Sequence, residues 1–237
     1  MNPLSDSAVA NNKDATPCQV EAAEIFMGED SDAASRSKGL ERLLGLTDDV
    51  FAFAITLLVL ELVTPVITGP LTNSSLASAL AGEWPSFLDY LVSCWVIGFQ
   101  WLGHHHIFRS INRSDEGLLT LNLLFLFFIV LIPFATRVLD SYESLPLAVA
   151  VYALVQVGAS LLNLLIWRYA SGGRRLVDER TSQHTIKWFG IRGLVISVMF
   201  AVSIPFAFIY SRLPIVWWLA ILPVMIVLDR RYGRDRV

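Results

Sequence analysis

The sequence predicts an all-α integral membrane protein, and three observations carry that prediction. Of its 237 residues 54% are hydrophobic and only 16% charged, a balance too apolar for an ordinary soluble domain. Six stretches are long and apolar enough to cross a hydrocarbon core of about 30 Å as helices of about 20 residues. No alternating runs of about ten residues support barrel strands, and lipid tolerates no other backbone with unpaired donors and acceptors.

The spans are expected near 47–66, 87–108, 117–138, 146–167, 188–210 and 213–229. Lys38 and Arg42 precede the first, and Arg109 and Arg113 separate the second from the third. Arg168, Arg174, Arg175, Arg180 and Lys187 separate the fourth from the fifth, and Arg230, Arg231, Arg234 and Arg236 follow the sixth. The opposite loops hold only Arg137 and Arg212. Basic residues near span ends stay on the cytoplasmic side, so both termini are expected in the cytoplasm of a multi-pass cell-membrane protein.

Three regions follow. Residues 1–40 are expected to be a disordered, acidic cytoplasmic N-terminus, since residues 1–38 carry seven acids against three bases and have little apolar surface to bury. Residues 41–229 form the six-helix membrane domain, and 230–237 a short basic tail. The remainder beyond residue 38 is nearly neutral, with no basic domain for nucleic acid. The uncharged loop around 66–85, apart from Glu83, is expected to be partly helical at the membrane surface. Cys18 and Cys94 read as free thiols, because pairing them would draw the tail into the membrane. No cleaved signal peptide is expected.

Polar residues concentrate in the first three spans. In "RLLGLTDDVFAFAITLLVLEL", Thr47, Asp48 and Asp49 read as a helix start, capping free backbone donors and favouring the positive end of the helix dipole. At 100° per residue Phe53, Thr56, Leu57, Leu60 and Thr64 share one stripe, with Glu61 on its flank. Such a stripe is either a core seam or the wall of a narrow pore. Glu61 lies about 20 Å along the axis from Asp48, near the opposite interface. In "FQWLGHHHIFRSINRSDE", consecutive His104, His105 and His106 project about 100° apart, so one helix cannot aim all three at one ion. Hydrogen bonding at the end of the second span suits them better. Asn122, Gln156 and Asn163 read as interhelical glue.

The run "RLLGLTDD", followed by "VFAFAITLLVLEL", resembles the first-helix signature of the transmembrane protein 175 family, an arginine, three residues, then Phe-Ser-Asp. "HHHIFRSINRSDEGLLTLNLLFLFFIVLIPF" is similar to that family's second and third helices. The resemblance covers about residues 40–138. It implies a potassium-permeable cation channel without a glycine-rich carbonyl filter, and this sequence has no TVGYG-like loop. It also implies a homotetramer in which each chain gives six helices and helix 1 lines a central pore. The implied constriction is Phe53, Leu57 and Leu60, with Thr56 in selectivity and Asp49, Glu61 and Thr64 at the pore mouths. Arg42, Thr47 and Asp48, with His105 or His106, would form a polar network behind the pore helix. Leu46-Thr47 replaces the motif's Phe-Ser and keeps a hydroxyl, and Phe53 stands where an aliphatic ring is usual.

The implied partners are further copies of the chain, membrane lipid and permeant monovalent cations, with no cofactor, no metal and no catalysis. A cation- or proton-coupled secondary transporter is the alternative, disfavoured by the missing internal repeat and the missing midplane acid. A metalloenzyme built on His104 to His106 is a third class, weakened by the divergence of the three side chains.

Overall fold

The computed structural model describes residues 17–142, 144–178 and 180–210 and isolated positions beyond, with side chains from residue 38 onward. Helix α1 runs Pro17–Leu58 and tightens into a 3-10 turn at Val59–Glu61; α2 is Asn73–Gly82, α3 Trp84–Phe108, α4 Glu116–Ser141, α5 Pro146–Ser171 and α6 Gln183–Ala207. Four segments are long and apolar enough to cross a membrane: Lys38–Glu61, Glu116–Ser141, Pro146–Arg174 and Gln183–Ala207. Helix α3 coincides with the expected second span and is 25 residues long, but Asp89, Gln100 and three histidines dilute it and it is not among the four. The expected span near 213–229 lies outside the described residues.

Two expectations at the N-terminal side are corrected. Helix α1 begins at Pro17, so 17–40, expected to be disordered, is helical. Its Glu, Ala, Leu, Arg and Lys content favours that state and Pro17 suits a first helical position. Thr47, Asp48 and Asp49 therefore lie deep inside a helix, where no backbone donor is left to cap. The Thr47 hydroxyl instead donates back to the Leu43 carbonyl at 2.8 Å, the usual habit of a mid-helix threonine.

The helices form an up-and-down bundle. Helix α5 packs on α4 and α6, and α1 on α4 and α3. The interior holds Phe125, Ile129 and Ile132 of α4 with Tyr152, Ile166 and Trp167 of α5, all essentially inaccessible. Close approach of α4 and α5 depends on Gly158, where a Cβ would collide with the Phe128 ring. Ser93, Thr136 and Tyr152 bond one another across α3, α4 and α5, at 2.9 and 3.2 Å. Leu123, Phe127, Val130 and Phe134 of α4, by contrast, point outward, as lipid rewards and water does not.

At one end, the α3–α4 and α5–α6 connections are joined by an antiparallel bridge between Ile111 and Val177. Asp115 ties that end together. Its carboxylate caps α4 by accepting from the Leu118 amide at 2.8 Å, and accepts from the Tyr169 hydroxyl at 2.8 Å and from Arg175 at 3.0 Å. Losing the cap alone costs about 1 kcal/mol. Asp115→Ala is therefore expected to lower the unfolding midpoint in detergent more than Asp115→Asn, which keeps a cap acceptor; equal losses would put the stabilisation elsewhere.

The Asp178 carboxylate accepts from the Arg180 amide and from the Asn112 side chain, at 2.8 and 2.9 Å. These bonds, the Arg180 amide's first, hold its pKa below the ordinary carboxylate value.

Candidate functional site

Helix α1 has two unlike faces. Leu43, Thr47, Phe51, Ala54 and Leu58 recur at three- and four-residue spacing and are buried against α3 and α4. Turned away from them are Asp49, Phe53, Thr56, Leu57 and Leu60. Phe53 is 69% exposed and Leu60 67%, whereas Phe51, two residues from Phe53, is 2% exposed. The stripe anticipated from periodicity, apart from Thr64, is thus the face that the described helices leave uncovered. The Thr56 hydroxyl donates to the Phe53 carbonyl at 2.9 Å, which leaves its oxygen lone pairs on the outward side.

The buried face is held by a chain of hydrogen bonds. The Asn122 amide of α4 donates from Nδ2 to Thr47 Oγ1 at 2.9 Å, while its Oδ1 lies 2.8 Å from His104 Nε2 of α3. A carboxamide oxygen only accepts, so Nε2 carries the hydrogen. The imidazole is 1% exposed. It stacks on Phe108 and Phe125 with ring centres 4.2 and 5.0 Å away, and Phe51 of α1 lies 6.3 Å off. A second link runs along the rim, where Trp101 donates from Nε1 to Asp48 at 2.8 Å and stacks on His105 at 5.3 Å.

These contacts change two residue assignments, those of the histidine and of Arg42. His104 takes the buried position expected for His105 or His106, and His105 joins only through the Trp101 ring. The signal was in the spacing: Ser93, Ile97, Gln100, His104 and Ile107 form the buried seam of α3, and His105 and His106 are out of phase with it. Arg42 is exposed, and neither ion pair among the described residues includes it. Asn122 is the interhelical glue it was read as, joining α4 to α1 and α3 at the centre of the network.

The far end of α1 also differs from the stripe. Glu61 turns toward α4 and pairs with Arg137 at 3.2 Å, away from Phe53 and Leu60. Thr64 is past the helix, because Leu62 is extended with ψ 100° and Pro65 disfavours helical geometry at the residue before it. Among the described residues no three His, Cys, Asp or Glu side chains converge as metal ligands. His104 is committed to Asn122 and His105 to Trp101.

Fold and site together define an all-helical membrane protein whose first long helix is clasped on one face and left uncovered on the other. The sequence profile described as "Endosomal/lysosomal potassium channel TMEM175" matches residues 42–133, the segment holding the clasp and the uncovered face. A potassium channel of Streptomyces collinus is 34% identical over 176 residues, covering 73% of this chain and 84% of the relative. A potassium channel of Chamaesiphon minutus is 33% identical over 148 residues, 61% of this chain and 72% of the relative. The crystal structure of a lysosomal potassium-selective channel TMEM175 homolog from Chamaesiphon minutus superimposes with a TM-score of 0.68 at 26% identity, over 82% of this chain and 98% of that one. The chain belongs to the TMEM175 family.

Proposed function

We propose that this protein is one subunit of a passive, potassium-permeable channel, a homotetramer in which the outward face of α1 lines a central pore. The observation that carries the reading is the split character of α1. A large apolar face bearing a threonine is left bare by the described helices, while the opposite face is locked to α3 and α4. Four such faces around an axis cover one another and enclose a narrow path.

In this assembly Phe53, Leu57 and Leu60 form apolar rings that block ions by dewetting. Thr56 lends hydroxyl oxygens that replace some of an ion's water, favouring the weakly hydrated potassium ion. Asp49, on the same outward face, raises cation concentration at the inner mouth. Glu61 and Thr64, first expected at the outer mouth, play a lesser part there, Glu61 being paired with Arg137. The Thr47–Asn122–His104 clasp, with Asp48 on Trp101, holds the pore helix at fixed rotation, with Arg42 and His105 at its margin. The basic ends of α3, α5 and α6 support the cytoplasmic placement of that end in the cell membrane.

The test is potassium efflux from liposomes containing the purified protein, with an ionophore to dissipate the membrane potential. Passive efflux is expected, with a potassium-to-sodium ratio that falls in Thr56→Val. Absence of flux from inserted, tetrameric protein would sink the channel reading and favour a coupled transporter. Human TMEM175 is named an endosomal/lysosomal proton channel and is 28% identical over 170 residues, about a third of its length. A pH-sensitive dye in the same liposomes therefore reads proton movement in parallel.

A further inference from the structure

We propose that the groove between α5 and α6, at the basic end of the bundle, is a binding site for one anionic phospholipid. This goes beyond ion conduction and does not depend on it; only the leaflet, the inner one, rests on the orientation proposed above.

The groove arises from two glycines one turn apart. A Cβ on Gly193 would lie 3.2 Å from Leu164, so the two helices touch there. A Cβ on Gly190 would meet nothing within 4 Å. The helices therefore part toward the basic end and leave a groove of about 360 Å³. Trp167 lies at its base, itself buried, with its indole nitrogen donating to the Ile186 carbonyl at 2.9 Å, so no polar atom of the ring faces the groove. Ile191 and Leu194 extend the apolar wall outward and are half-exposed. Helix α6 packs extensively on α5 alone among the described helices, and the half-exposed Ile191 and Leu194 keep this side at the surface of the described bundle.

The polar end of the groove carries positive charge only. Arg168, in the last turn of α5, and Lys187, in the second turn of α6, line it, and no acid does. The neighbouring Arg175 is engaged by Asp115 at 3.0 Å and lies over the Tyr169 ring. Neither ion pair among the described residues uses Arg168 or Lys187. An apolar slot capped by two cations matches an acyl chain continued by a phosphate diester, and basic pockets between spanning helices select anionic head groups. A neutral phosphocholine brings its own cation and gains less.

The experiment uses the full-length protein in neutral detergent. Phosphatidylglycerol is titrated against thermal unfolding, and native mass spectrometry counts lipid retained per chain. Phosphatidylcholine and free glycerol phosphate serve as the other ligands. The wild type is expected to retain one phosphatidylglycerol per chain. Arg168→Ala with Lys187→Ala, and separately Gly190→Leu, are each expected to weaken binding at least tenfold. Gly190→Leu fills the open space, keeps every charge and favours the helix, so unchanged unfolding without lipid distinguishes a blocked site from a broken fold. Arg109→Ala with Arg113→Ala removes equal charge at the same end and is expected to change binding less than twofold. Equal loss in that control, no loss in Gly190→Leu, or full stabilisation by glycerol phosphate would overturn the proposal.

Discussion

Replacing Phe53 by alanine is expected to raise passive potassium flux at least tenfold. In the proposed tetramer four phenyl rings face one axis and exclude water, and an ion entering such a dry constriction loses hydration that nothing there replaces. Exchanging the rings for methyl groups widens and wets the path, and each 1.4 kcal/mol removed from the barrier is about tenfold in rate. Leu57→Ala and Leu60→Ala are expected to act in the same direction and less strongly, since a leucine ring is smaller. Phe51 supplies the internal control. It sits two residues away on the same helix but faces His104 and Phe125, at ring distances of 6.3 and 5.8 Å. Phe51→Ala is expected to cost about 3–5 kcal/mol of stability without opening the pore. If Phe53→Ala conducts like the wild type while remaining tetrameric, the constriction lies elsewhere on α1.

The second large effect is expected at Asn122. Single interhelical hydrogen bonds in membranes average only about 0.6 kcal/mol, because the unfolded chain in lipid finds other partners. Asn122 makes two, and both partners are buried. In Asn122→Leu, Thr47 keeps its bond to the Leu43 carbonyl, but His104 Nε2 is left without the acceptor it has in a pocket walled by Phe108 and Phe125. An orphaned buried donor costs about 1–3 kcal/mol, so the histidine dominates and the total is expected near 2 kcal/mol. Denaturant unfolding in detergent measures it. Asn122→Asp retains an acceptor for His104 and is expected to lose less. A loss no larger than that of Leu123→Ala, a change on the outward face of the same helix, would mean that the clasp does not hold α1.

The sequence alone determined the membrane class and which residues of α1 share a stripe, because both depend on local quantities. Apolar length sets a span, and a 3.6-residue period separates one face from the other. Phe53, Thr56, Leu57 and Leu60 needed no partner to be recognised as sharing a face. Local capping rules misplaced Thr47 to Asp49, since helix-forming residues further upstream carry α1 past them.

Tertiary structure decided which face meets which neighbour. The bonds that make the clasp join residues 18, 53 and 75 positions apart, and no local period encodes such pairings. The choice of His104 over His105 and His106, the turn of Glu61 toward Arg137 and the parting of α5 from α6 at Gly190 all arise there. Each depends on the distance between helices, which side-chain volumes across the whole bundle set together, so only the packed bundle specifies them.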